Sequence, residues 1–238
     1  MQIEIWFLWF VTYSVLGWIY ETTLASIMRK RFVNRGFLNG PYCPIYGGGA
    51  LLVIALLSDL RHPLLLFLAA VLLTGSLEYL TSWAMEKLFH ARWWDYSEKK
   101  FNIKGRVYLK GVIVFGAFSL ILIRFLHPPV AVLTAGIPVN ARIATALVFF
   151  SLILADMVYT VTKFVEFERV LGGMADSFDE AVQSVKTLYE KANSAYVVTF
   201  QRVNSQARRM ILSFPKLTST RYNENLKKLK ALIKHEEK

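Results

Sequence analysis

The fold is decided by the stretch Asn34-Arg35-Gly36-Phe37-Leu38-Asn39-Gly40-Pro41-Tyr42-Cys43-Pro44-Ile45-Tyr46-Gly47-Gly48-Gly49. It contains two prolines and five glycines, and it lies between two strongly apolar segments. Lipid cannot satisfy free peptide groups, so irregular backbone at membrane depth must be buried in protein or line a polar cavity. Many substrate and ion sites are built from such broken helices. The stretch therefore predicts a membrane protein with a polar site.

The composition also indicates a membrane protein. The 238 residues are 55% hydrophobic and have a mean hydropathy of +0.38, which is too apolar for a soluble domain of this size. The formal charge of +11 would also be typical of a protein that binds nucleic acid. However, the basic residues cluster in alternate loops and the tail, as membrane orientation requires, and no nucleic-acid motif is present. The single cysteine, Cys43, excludes an intrachain disulfide.

The apolar runs predict an all-α, polytopic membrane protein with five transmembrane helices. The expected transmembrane domain is 1–166, with spans at about 5–28, 45–60, 64–88, 107–126 and 141–165. The first run is too long for a cleaved signal peptide and is expected to be retained. Lys and Arg are frequent in the first and third loops, so the N-terminus is predicted outside and the C-terminus in the cytoplasm of a bacterial inner membrane.

Residues 167–238 are predicted to form a cytoplasmic helical tail. Apolar residues recur at three- and four-residue steps from Leu171 to Ile211, which indicates a long amphipathic helix. Gly172-Gly173 is a predicted hinge where the membrane helix ends, and Pro215 is expected to precede a shorter helix from Tyr222 to about Lys234. A long helix with one apolar stripe must bury it, so a coiled-coil dimer or a folded-back hairpin is expected.

Acidic residues inside the spans are the main candidates for an ion or substrate pathway. Glu78 lies on a stripe with Thr74, Ser82 and Glu86 at four-residue spacing, which must face protein or water. A carboxylate at mid-bilayer costs at least about 2.5 kcal/mol, so Glu78 is expected to be a cation or proton site or a counter-charge for a cationic headgroup. The alternative is a protonated glutamic acid that hydrogen-bonds between helices.

Three further acids are candidates for the same pathway. Glu21 and Glu86 lie nearer the cytoplasmic face, where ion pairs with Arg35, Arg106 or Lys87 are as plausible as a ligand role. Asp156 lies near the middle of the fifth span and is a second candidate for the site.

Two other groups of residues suit a ligand through different chemistry. Arginine forks and exposed amides bind phosphate, so an anionic headgroup or substrate is a candidate ligand of Asn34, Arg35, Gly36, Asn102 and Arg106. Alternatively, these residues only enforce topology and cap helices. The expected backbone part of the site is Gly40, Pro41 and Gly47, although Gly47 also suits close helix packing.

Motifs for enzyme chemistry are absent from the sequence. The four histidines have no metal-ligand spacing, and there is no nucleophile motif, so no catalytic residue, metal or cofactor is predicted. There is no phosphate-binding P-loop, which excludes this chain as the ATPase of a transporter.

The sequence also suggests an internal repeat. Aligning Gly36 with Gly105 places Gly47 over Gly116, with apolar residues following both. Spans one and two would then be duplicated as spans three and four, the alternative being chance similarity between apolar segments.

The chain resembles a known group of bacterial membrane proteins, the putative type IV ABC-transporter family, also called CmpB-like. The resemblance covers the first half to two-thirds of the chain and is carried by Tyr13-Ser14-x-x-Gly17-Trp18-x-Tyr20-Glu21, Asn34-Arg35-Gly36-Phe37-Leu38-x-Gly40-Pro41, Pro44-Ile45-Tyr46-Gly47, Glu78-Tyr79, Glu86-x-x-Phe89, Trp93-Trp94-Asp95-Tyr96-Ser97 and Asn102-x-x-Gly105-Arg106. It implies a transporter-type membrane component.

Three functions are therefore weighed. The leading hypothesis is a transport or permease-type component with the acidic residues along its path. The alternatives are a membrane enzyme acting on lipid at the cytoplasmic interface, and a scaffold that recruits a partner through its helical tail. The expected partners are the lipid bilayer, a second copy in a homodimer, and a cytosolic protein, such as a nucleotide-binding subunit, bound through 167–238.

Overall fold

A computed structural model describes residues 2–182 and 205–236, and the regular secondary structure in those ranges is helical apart from four two-residue strands. The all-α prediction is confirmed. The helices are α1 (Ile3–Arg29), α2 (Pro44–Leu57), α3 (Pro63–Phe89), α4 (Leu109–Ile121), α5 (His127–Gly136), α6 (Val139–Val182), α7 (Ser205–Ser213) and α8 (Asn223–Glu236). The strands are β1 (Ala91–Arg92), β2 (Asn102–Ile103), β3 (Val107–Tyr108) and β4 (Thr218–Ser219).

Within the described residues, four helical stretches are long and apolar enough to cross a membrane: Ile3–Arg29, Pro63–Phe89, Leu109–Gly136 and Val139–Gly173. The prediction of five such helices is wrong at the second span. Helix α2 has only 14 residues. At 1.5 Å per residue it is about 21 Å long, which is less than the roughly 30 Å of a bilayer core. The preceding Gly- and Pro-rich residues do not join the helix because they adopt irregular backbone down to Cys43.

The fourth span is longer than the sequence predicted. It was expected to end at Leu126, before Pro128-Pro129, but α4 continues through a π-helical turn at Leu122–Leu126 into α5, which ends at Gly136. Proline is tolerated in the first turn of a helical segment, and the wider π turn accommodates missing helical hydrogen bonds. The two prolines therefore mark a change of helical winding within one span.

The predicted hinge at Gly172-Gly173 is also wrong, because α6 runs without a break from Val139 to Val182. Glycine lowers helix propensity by only about 1 kcal/mol, which neighbouring residues can offset. The predicted long amphipathic helix lies partly outside the described residues, since 183–204 are not among them. Helix α7 ends before Pro215, and α8 occupies nearly the predicted range.

The chain forms two compact units. Unit 1 comprises Met1–Ala84 and Trp94–Met157, and unit 2 comprises Met85–Trp93 and Val158–Lys238. One apolar cluster of unit 1 is Tyr13, Val53, Ile54, Leu57, Leu66, Ala70 and Leu122, and another is Val11, Leu38, Tyr42 and Ile153. Large apolar side chains on the outer faces of α1, α3, α4 and α6 are exposed, as lipid contact requires.

Unit 2 has its own small core. Strands β1 and β4 pair antiparallel, with Ala91 opposite Ser219. The Trp93 ring packs edge-on against Phe164 with centroids 4.7 Å apart. The Asn225 side-chain amide donates to the Leu171 carbonyl over 3.1 Å, which ties α8 to α6. These contacts involve only residues of unit 2.

Glycines allow the helices of unit 1 to pack closely. A Cβ on Gly47 of α2 would meet Ser14 Oγ of α1 and lie 2.5 Å from the Phe10 carbonyl oxygen. Gly116 of α4 packs in a similar way against Phe67 and Val71 of α3. The later helix of each pair therefore approaches the earlier one through a glycine, at the positions that the proposed repeat aligns.

Gly47→Ala is expected to lower the free energy of unfolding by about 1–3 kcal/mol, because the added methyl group forces α2 away from α1. The neighbouring Gly48→Ala is a matched control, since a Cβ there meets nothing within 4 Å. Thermal unfolding of the detergent-purified variants measures the difference. Equal melting temperatures for the two variants would contradict this account of the packing.

Candidate functional site

The loop of residues 30–43 descends along α1. The Val33 amide donates to Ser26 Oγ over 3.0 Å, and the Arg35 amide donates to Thr22 Oγ1 over 3.1 Å. The Cys43 amide donates to the Ser14 carbonyl over 2.9 Å. These partners on α1 are spaced by multiples of four residues and share one face. The loop therefore reaches the middle of α1, and α2 begins there.

Asp156 of α6 holds the far side of this loop. Its Oδ1 accepts hydrogen bonds from the Asn39 amide at 3.2 Å and from the Asn39 side chain at 2.9 Å. Its Oδ2 accepts from the Gly40 amide at 2.8 Å and from the Tyr42 hydroxyl at 2.7 Å. The Tyr42 hydroxyl is the donor of this last bond, and the carboxylate is the acceptor. With four donors, Asp156 acts as an anchor for irregular backbone.

The predicted headgroup residues of this loop are also held within the protein. Asn34 accepts from Trp18 Nε1 at 2.6 Å and donates to the Asn39 carbonyl at 2.8 Å. Gly36 is buried, and a Cβ there would lie 3.3 Å from the Leu38 carbonyl oxygen. Pro41 is exposed at the turn that follows Gly40.

A polar cluster lies where α1, the loop and α2 meet. Tyr46 in the first turn of α2 donates to Glu21 Oε1 over 2.6 Å. The other oxygen, Oε2, lies 3.6 Å from Arg35 Nε. Gly17 makes room for this arrangement, because a Cβ there would collide with the Tyr46 ring. Glu21 thus pairs with Arg35, one of the partners that the sequence suggested.

Glu78 of α3 belongs to the same cluster. Its side chain is buried, with 7% exposure, and Tyr96 hydrogen-bonds to it. Its Oε2 is buried and accepts no hydrogen bond from any residue in the described ranges. Glu21 is close enough for the two carboxylates to repel each other. Among the described residues, no cation forms an ion pair with Glu78, so its charge has a hydrogen bond but no counter-charge.

Tyr96 joins this cluster from the loop between α3 and α4. Burial, and then the charges of Glu78 and Glu21, raise the pKa of the Tyr96 hydroxyl. The hydroxyl therefore remains a donor. The Tyr96 amide donates to the Gly105 carbonyl over 2.8 Å, which fixes the tyrosine to the β2–β3 hairpin.

The other candidates stabilise their own surroundings. The Asn102 side chain donates to the Lys99 carbonyl at 2.7 Å and accepts from the Gly105 amide at 2.9 Å. Arg106 is buried, donates to Ser82 Oγ over 3.3 Å and lies over the Tyr79 ring. In unit 2, Glu86 pairs with Arg92 at 3.0 Å.

Metal-binding geometry is not found in the described part of the chain. No group of three or more His, Cys, Asp or Glu side chains there is arranged to hold an ion. The cluster of Glu21 and Glu78 offers two carboxylates beside tyrosine hydroxyls, which suits a proton or another singly charged cation.

Comparison with known families gives a match over residues 8–161 to a family described as "Putative ABC-transporter type IV". The matched residues make up more than half of the chain and include α1, α2, the loop and the polar cluster. The chain belongs to this family. No curated protein and no solved structure matches this chain.

Two cluster residues of this type IV family member were not among the predicted site residues. Tyr46 and Tyr96 both lie in motifs that carry the resemblance, Pro-Ile-Tyr-Gly and Trp-Trp-Asp-Tyr-Ser. In the second motif Asp95 caps a turn by accepting from the Ser97 amide at 2.9 Å. Their position in motifs that carry the family resemblance was the one sequence signal that could have identified these two tyrosines as site residues.

Asp156→Asn is expected to lower the free energy of unfolding by about 2–3 kcal/mol, since an amide cannot accept from all four donors and leaves some of them unpaired. Trypsin should then cut more readily after Lys30, Arg31 and Arg35. The exposed Asp59→Asn is the control. Unchanged cleavage in Asp156→Asn would show that the loop is held by other contacts.

Cys43 is expected to resist thiol reagents in the folded protein. Its side chain is buried, with 8% exposure, and its thiol donates to the Arg35 carbonyl over 3.2 Å. Burial in apolar surroundings disfavours the reactive thiolate and blocks the approach of a reagent. Maleimide labelling should be slow until the protein is unfolded in detergent. Fast labelling of native protein would mean that the loop opens.

Proposed function

We propose that this chain is a membrane transport component whose site is the cluster of Glu21, Arg35, Tyr46, Glu78 and Tyr96, and that this site receives a positively charged group. The observation that carries the proposal is the buried Oε2 of Glu78, which accepts no hydrogen bond from the residues that the structure describes. An ionisable side chain inside a membrane protein is costly and is retained mainly where it serves a pathway or a partner.

The two carboxylates of the cluster have different roles in this proposal. Glu21 already has a guanidinium neighbour and a tyrosine donor, and it lies beside the N-terminal turn of α2, whose dipole favours negative charge. Glu78 has a tyrosine donor but no cation. A proton, an inorganic cation or an ammonium group would satisfy Glu78, whereas Glu21 holds the helix start in place.

The position of α2 supports the proposal that the loop of residues 30–43 and α2 together cross the membrane. Helix α2 starts beside Ser14 near the middle of α1, and its last residue, Leu57, shares an apolar cluster with Trp6 near the start of α1. The loop covers the remaining depth. With this arrangement and the bias of basic residues, we place the N-terminus outside and the C-terminus in the cytoplasm of a bacterial inner membrane.

We further propose that the component acts with partners and not as an enzyme. Four span-length helices are few for a self-sufficient transporter, which favours a homodimer. The segment 167–238 is the proposed contact for a cytosolic protein, either a nucleotide-binding subunit or another. The competing lipid enzyme is not favoured, because Arg35 and Arg106 are engaged within the protein rather than presented to a substrate.

Glu78→Gln is expected to reduce the proton flux that a cation gradient drives to the level of empty liposomes. The reason is that an amide, unlike a carboxylate, neither takes up a proton nor pairs with a cation. The measurement uses proteoliposomes loaded with a pH-sensitive dye and challenged with gradients of Na⁺, K⁺ or methylammonium. Glu98→Gln, at an exposed carboxylate of the α3–α4 loop, is the matched control and should keep wild-type flux.

Two results would count against the proposal. Full flux in Glu78→Gln would remove Glu78 from the path. An absence of flux for the wild type, in liposomes and after co-purification with any nucleotide-binding subunit, would favour a scaffold.

A further inference from the structure

The loop between α3 and α4 exposes two large apolar side chains on the protein surface. Phe101 is 78% exposed and Ile103 is 60% exposed. Single exposed apolar residues are ordinary, but two within the short segment 99–104, called the tip of this loop below, are typical of an interaction site.

The backbone that presents them is ordered by hydrogen bonds. The Phe101 carbonyl accepts from the Leu109 amide at 3.0 Å, and Asn102 is tied to Lys99 and Gly105. Phe101 and Lys104 have φ values of 54° and 51°. Left-handed backbone is unfavourable for such residues and is retained where the surrounding structure enforces it. The ordered backbone around Phe101 therefore holds this side chain in its exposed position.

Basic side chains surround this apolar tip. Lys99, Lys100 and Lys104 are all exposed, and Glu98 is the nearby exposed acid. The combination of apolar side chains and lysines matches the boundary between acyl chains and anionic headgroups. The loop is also joined at both ends to helices that are long and apolar enough to span a membrane, so its tip is held close to the bilayer surface.

We propose that the tip, residues 99–104, is a binding site for anionic phospholipid. Phe101 and Ile103 enter the acyl boundary, and the three lysines contact headgroup phosphates. Tyr96 lies in the same loop, where its amide donates to the Gly105 carbonyl and its side chain hydrogen-bonds to Glu78, so the loop that binds lipid also contributes to the polar cluster. The lipid site itself does not depend on the proposed transport function.

The test places a fluorophore at the tip of the full-length protein. Phe101→Cys is labelled with an environment-sensitive dye, and the buried Cys43 is left unlabelled. The protein is then studied in nanodiscs of phosphatidylcholine with increasing phosphatidylglycerol. A blue shift that grows with phosphatidylglycerol and weakens with salt supports the site. Ile103→Cys, labelled in the same way, should give the same response if Phe101→Cys misfolds.

Lys99→Gln with Lys100→Gln in the labelled protein provides the matched comparison. Each lysine near an anionic surface contributes roughly five-fold, so the pair should weaken the response to phosphatidylglycerol roughly 30-fold. Equal shifts in neutral and anionic discs, or no shift in either, overturn the proposal. A shift that appears only when cytosolic proteins are added assigns the tip to a protein partner and also overturns it.

Discussion

Ser14, Thr22 and Ser26 on one face of α1 supply the hydrogen bonds without which the loop of residues 30–43 could not lie beside that helix. Peptide groups away from water must be paired, and a loop lacks the internal pairing of a helix. Asp156 completes the set from the other side by accepting from two residues of the loop backbone and two side chains. The rest of the polar site depends on this arrangement, because it sets where α2 begins and therefore where Tyr46 meets Glu21.

The polar cluster distributes charge unevenly. Glu21 is compensated by Arg35 and Tyr46, whereas Glu78 receives a hydrogen bond from Tyr96 and faces the charge of Glu21. A buried carboxylate with no counter-charge is unfavourable unless it is neutralised by a proton or another cation. The difference between the two glutamates could not be read from their positions on α1 and α3. It depends on tyrosines that reach them from other segments.

Local patterns predicted the features that depend on local chemistry. Glu78 and Ser82 of the polar stripe on α3 are buried, α7 ends before Pro215, and the Gly- and Pro-rich stretch has irregular backbone as far as Cys43. The errors arose where neighbouring structure overrides local preference. The span expected at about 45–60 is α2, which starts at Pro44 as the sequence indicated but ends at Leu57 and is too short to cross a bilayer. Pro128-Pro129 did not end the fourth span because a π turn accommodates them. The bond between Asn39 and Asp156 joins residues 117 positions apart, beyond any sequence periodicity.

That separation has a consequence for biogenesis. While the ribosome is still making the residues that precede α6, the Asn39 and Gly40 amides have no carboxylate to bind, although α1 and α2 have already emerged. Those amides must therefore find water or another acceptor until α6 is made, so the order of synthesis sets when the loop can reach its final place beside α1.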